Sequence, residues 1–175
     1  AEKVFRRMVD EPSRSDLDKQ QGKLGLAGLR AAQARNARTL DERLKLLDEA
    51  RQLMQAVLEG WKDKSSQEYV AAVFALVDVL EERGTMAMEA VTEGMVDAAD
   101  ADKYREMANA DFGRAQALLE KIRAGLGDVT VPDKNRDKWR LSNRAWYMLC
   151  LLKLQQARVE KKGASNQFRY LSESE

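Results

Sequence analysis

Between Pro12 and Pro132 the chain has no proline, so nothing in that span carries the residue that breaks a helix most strongly. Alanine, leucine, arginine, glutamate and lysine fill it, and all five are good helix formers. Helix is therefore the dominant expectation. An apolar share of 44% beside 34% charged residues lets each helix bury one stripe and wet the opposite face, as in a globular chain of 175 residues. The chain reads as a single all-helical domain over 1–175, with 1–14 as an N-terminal lead-in and 172–175 as a mobile tail. Asp78 and Lys153 interrupt the longest apolar runs well before the roughly 20 residues a membrane helix needs, so no membrane span is expected.

The residues that are missing narrow the chemistry. There is no histidine and only one cysteine, Cys150. A Ser-His-Asp or Cys-His site, a histidine base, the usual zinc sites and a histidine-held haem all require residues this chain lacks. A single cysteine makes no internal disulfide, and Met148-Leu149-Cys150-Leu151-Leu152 reads as a buried apolar run. No catalytic residue, cofactor or metal ligand is expected, and the chain is read as a non-enzyme. Glu89 and Glu93, one turn apart, are read as solvated carboxylates. Asp97, Asp100 and Asp102 lack the spacing, central glycine and closing glutamate of a calcium loop and read as helix-boundary residues. Asp111-Phe112-Gly113 matches a kinase tripeptide without any of the accompanying kinase motifs.

Charge is unevenly placed although the formal total is only +1. From Asp41 to Asp111 there are 8 Lys/Arg against 17 Asp/Glu, and from Asp133 to Tyr170 there are 10 against 3. That polarity favours docking to a protein, or head-to-tail self-association, over general nucleic-acid binding. The start Ala1-Glu2-Lys3, without methionine, fits a processed exported protein such as a periplasmic one; a cytoplasmic location is the other reading.

Local signals place the helices. Pro12-Ser13-Arg14 leads to Ser15 as N-cap of a helix from about Asp16 to Arg38, in which Gly22, Gly25 and Gly28 form a strip allowing close approach by a neighbour. Thr39-Leu40-Asp41-Glu42 is a capping box, followed by Leu44, Leu47, Ala50, Met54, Val57/Leu58 and Trp61 at helical spacing. Ser65 with Glu68 repeats the capping pattern before a helix over 66–83. Its Tyr69–Val77 run is apolar nearly all round and must be covered on more than one side. Gly84 reads as the left-handed residue ending that helix, with Thr85 capping a next one through about Ala99. A helix over about 102–124 follows, presenting Tyr104, Met107/Ala108, Phe112, Ala115, Leu118/Leu119 and Ile122, and Gly125 and Gly127 end it.

Gly127–Asn135 reads as a connecting loop with an extended piece at Val129–Val131, and a long helix over about 134–162 closes at Lys161-Lys162-Gly163. Residues 166–171 are read as the start of a further helix. Arg136, Arg140 and Arg144, spaced by four, line one face of the long helix. With Trp139, Trp146 and Tyr147 they are the candidate partner-binding residues, although aromatics at helical spacing more often belong to a core.

The stretch from Leu76 to Ala90, with its expected turn at Gly84, resembles the helix-turn-helix of a tetratricopeptide repeat. Pro132, Trp139 and Asn143-Arg144-Ala145-Trp146-Tyr147 are similar to the start of another. The resemblance implies stacked helical pairs with a concave surface that binds a peptide or protein. The helices here are longer than that family's, and its repeat length does not hold along the chain. The expected fold class is thus all-α with about six to seven helices, as stacked antiparallel hairpins in a tetratricopeptide-like solenoid or as an irregular bundle. The expected role is a protein interaction or scaffold module, with another protein or a second copy as partner. Nucleic-acid binding through the basic segment, judged unlikely at this net charge, and carriage of an apolar ligand in a pocket with Asp78 as buried polar group are the alternatives.

Overall fold

The structure is a computed structural model that describes residues 1–126 and 136–159. Among these residues it is all-α, with six helices and no strand: α1 (Glu2–Asp10), α2 (Asp16–Asn36), α3 (Leu40–Glu59), α4 (Gln67–Thr92), α5 (Ala101–Leu126) and α6 (Arg136–Val159). No described helix is long and apolar enough to cross a membrane. The Gly127–Asn135 loop with its extended piece, the Lys161-Lys162-Gly163 terminus, the further helix over 166–171 and the 172–175 tail lie outside the described residues. The chain gathers into two compact units, Ala1–Arg83 and Gly84–Glu175.

In the first unit, residues 2–10 of the stretch read as a lead-in form α1. A helix of nine residues is too short to hold itself in water, since isolated helices below about 12–15 residues are marginal. Its support comes from α2. A Cβ added at Gly22 would stand 2.9 Å from the Met8 Cβ and 3.0 Å from the Val9 Cγ2; one added at Gly25 would stand 2.4 Å from the Phe5 ring. The expected close approach along the glycine strip is therefore real at Gly22 and Gly25, and α1 makes it. Gly28 faces open space. Pro12 then ends α1: the residue before a proline is pushed out of the helical region, and Glu11 is extended at φ −74°, ψ 114°.

Ser15 caps α2 by accepting the Asp18 amide, and Thr39 caps α3 by accepting the Glu42 amide, as the sequence indicates. The α3 stripe Leu44, Leu47, Ala50, Met54, Val57 and Leu58 is buried in full. Before α4 the cap is Ser66, one residue later than expected: its hydroxyl accepts the Tyr69 amide, while Ser65 is held by the Asp63 carboxylate. From Tyr69 to Leu80 every residue of α4 is buried except Ala71, Ala75 and Asp78, in keeping with a stretch apolar nearly all round. Trp61 meets Tyr69 edge-on at 6.2 Å between ring centres.

Charged side chains join the helices of this unit. Arg30 of α2, only 17% exposed, donates to Glu2 of α1 at 3.0 Å and pairs with Glu49 of α3 at 2.9 Å. Arg35 of α2 makes a two-pronged pair with Glu82 of α4. Asp48 of α3 accepts from Arg51 and Gln52 of its own helix and from Arg83 of α4. Burial pushes the Asp48 carboxyl up, but hydrogen bonding to Arg51 and the charges of Arg51 and Arg83 outweigh it and hold the group below its ordinary 3.8.

The boundary between the units falls inside α4, where the structure departs from the expected turn. Residues 67–92 are one helix, with no turn at Gly84 and no separate helix capped by Thr85. Gly84 is a notch: a Cβ there would come within 2.7 Å of the Phe112 ring of α5. Thr85 instead hydrogen-bonds Gln155 of α6. The left-handed terminal glycine is Gly94, at φ 68°, where the Met95 amide reaches back to the Ala90 carbonyl and the Gly94 amide to Val91, a Schellman closure. Both glycines follow a helical run, and local sequence does not tell a notch from a stop.

In the second unit α5 buries Ala108, Phe112, Ala115, Leu119 and Ile122, and α6 buries Ala145, Met148, Leu149 and Leu152. Asp97 and Asp100 sit in the turn before α5, and Asp102 lies in its first turn, paired with Arg105, so all three are boundary residues. Cys150 is half-buried rather than buried.

Two outcomes follow for stability in denaturant. Gly84→Ala should cost about 1–3 kcal/mol, the usual range for overpacking, despite the helix propensity it gains. In a Phe112→Ala background the same change should turn stabilising by up to about 1 kcal/mol, as should Gly28→Ala in the native chain. An equal cost in both backgrounds would mean the ring does not fill the notch. Asp48→Asn should cost about 1.5–3 kcal/mol at neutral pH, the range for hydrogen bonds to charged groups. Because the folded-state pKa is depressed, that contribution is complete above the ordinary 3.8 and lost as pH falls through the lower folded value. Melting curves of the two proteins should therefore converge only below about pH 4; convergence near neutrality would contradict the assignment.

Candidate functional site

The candidate residues all lie on α6, whose inward face is set by Ala145, Met148, Leu149 and Leu152. At 100° per residue, Arg136, Arg140 and Tyr147 fall on the opposite side, Trp139 and Trp146, seven apart, share one flank, and Arg144 lies on the other. All of these are exposed except Trp139, which is half-buried. Trp146 is 47% and Tyr147 64% exposed, so neither serves as core, and Leu154 lies exposed two turns beyond Tyr147. A helix ordinarily turns such side chains inward; here Met148 and Leu149 occupy those positions.

One contact of this flank was not legible in the sequence. Arg123 of α5 lays its guanidinium over the Trp146 ring, 4.6 Å from the centroid. The pair joins residues on different helices, and neither spacing nor composition links them. Stacking fixes the indole while leaving much of it open to solvent, and a cation over an aromatic face contributes about 0.5–1 kcal/mol at an exposed site. The result is a preset surface of one indole, one phenol and several guanidinium groups.

The other acidic groups weighed in the sequence lie outside α6. Asp78, taken as the buried polar group of an apolar pocket, is exposed, because it is the one residue of 76–80 that faces outward. Among the described residues the fully buried acid is Asp111 of α5. It stands three residues after Ala108 and four before Ala115, on the apolar stripe itself, which was the available signal. Burial, and next the Asp78 charge, raise the Glu81 carboxyl above its ordinary value. Glu89 and Glu93 are exposed. Among the described residues no three His, Cys, Asp or Glu side chains are placed to hold a metal. In the first unit a cleft of about 500 Å³ opens between α1, α2 and α3, floored by Leu26, Leu53 and Ala56, with Arg6, Asp10 and Lys23 at its rim.

The chain matches no protein-family model, no curated protein and no solved structure.

Proposed function

We propose that this chain is a non-enzymatic interaction or scaffold module that docks a protein partner through the outer face of α6. The observation that supports this reading is the exposure of Trp146 and Tyr147 on a regular helix, beside Arg123 and the Arg136, Arg140 and Arg144 series. Tryptophan, tyrosine and arginine are the residues that most often anchor protein interfaces, because they offer large contact area with few rotatable bonds together with hydrogen bonding. The excess of basic residues in this part of the chain favours an acidic partner surface, which speeds encounter and selects orientation. The tetratricopeptide-like resemblance suggests a concave groove; with Gly84 inside a continuous helix, the α6 face is the surface that carries the proposal.

Affinity capture at low salt should recover a defined protein partner, or the chain itself. Trp146→Ala with Tyr147→Ala should weaken that retention about 10- to 30-fold, the size of losing one anchoring hot spot. Recovery of no partner, or equal recovery by the double variant of a partner other than the chain itself, would contradict the reading. Salt-dependent retention of nucleic acid in a mobility-shift titration would reassign the arginines to phosphate neutralisation.

A further inference from the structure

The way α1 is held carries an inference independent of the α6 face. None of its nine residues is buried, and Val4 is 61% exposed. What fixes it is specific but slight: Phe5 in the notch at Gly25, Met8 and Val9 against Gly22, and Glu2 bound to Arg30 at one end of the seat. The link to α2 is short and exposed, running through Pro12, Ser13 and Arg14. A short helix with no fully buried residue, whose contact side chains Phe5, Met8 and Val9 are only half-buried, opens at low free-energy cost compared with the rest of its unit.

When α1 lifts, it leaves a notched strip on α2 and the Arg30 guanidinium, which keeps Glu49 but loses Glu2. The lifted segment and the vacated seat are complementary in shape and in charge. A second copy offers the same pair, so two opened copies satisfy each other reciprocally in a closed two-fold arrangement. We propose that the α1 seat on α2 is a self-association site, and that its occupant in the dimer is α1 of a second copy.

The Glu2–Arg30 pair allows a test by charge exchange. Glu2→Arg places two cations at the seat of its own chain, and Arg30→Glu places two carboxylates at the seat of its own. In a mixed exchange dimer both seats regain an opposite-charge pair: Arg at position 2 meets Glu at position 30 in one, and native Glu2 meets native Arg30 in the other. Light scattering and native mass spectrometry of the mixture should show a heterodimer enriched several-fold over either homodimer, and high salt should reduce the enrichment. Two variants that remain separate after mild warming and cooling would overturn the proposal.

Should either variant lose its helical circular dichroism, the native chain decides. Its mass should rise toward twice the monomer with concentration, deletion of residues 1–10 should abolish that rise, and Trp146→Ala with Tyr147→Ala should leave it intact. A monomer at every concentration, or a dimer that survives the deletion, would likewise overturn it.

Discussion

A phenylalanine ring set where a neighbouring helix has no side chain is the contact on which both units depend: Phe5 over Gly25, and Phe112 over Gly84. A glycine inside a helix costs about 1 kcal/mol relative to alanine. Burying a phenylalanine side chain returns about 1.5–3 kcal/mol, so the trade favours the notch where the ring is fully enclosed. Phe112 meets that condition at 1% exposure, and it anchors α5 against α4. Phe5 is only half-buried, so α1 rests on a shallower well and depends on the Arg30 pairs as well. The same device thus yields a firm joint in one unit and a detachable one in the other.

That device also explains where sequence reasoning succeeds and where it fails. The stripes of α3 and α5, the caps at Ser15 and Thr39, and the enclosure of Tyr69–Val77 are written in near neighbours, which sense each other through one helix. The Gly22/Gly25 strip was legible as a place of close approach, but the approaching element was not, because α1 owes its existence to the seat rather than to its own length. Gly84 was misread for the same reason: its partner lies 28 positions away, and a glycine before a threonine looks like a stop until Phe112 is seen in the notch. Gly94, ten residues on, is the actual stop. The joints between helices, Arg30 with Glu2 and Glu49, Arg35 with Glu82 and Arg83 with Asp48, leave no local trace at all.

On α6 Arg136, Arg140 and Tyr147 face outward, Trp146 is exposed and Trp139 half-buried on one flank, and Arg144 is exposed on the other. That assignment required the structure, since Trp146 and Met148 are two residues apart and either could have faced inward. Arg123 completes the surface from another helix. The proposed interaction rests on that exposed flank and on the basic charge beside it.

The central structural claim is that α4 runs unbroken through Gly84 because the missing side chain is a notch for Phe112. Residue-resolved amide hydrogen exchange across 80–90 tests it directly. A continuous helix predicts slow exchange at Gly84, Thr85 and Met86, comparable to Leu80 and Ala87, and a selective rise in exchange there when Phe112 is replaced by alanine. Fast exchange at Gly84–Met86 in the native chain, flanked by protected amides on both sides, would mean a turn and would contradict the account.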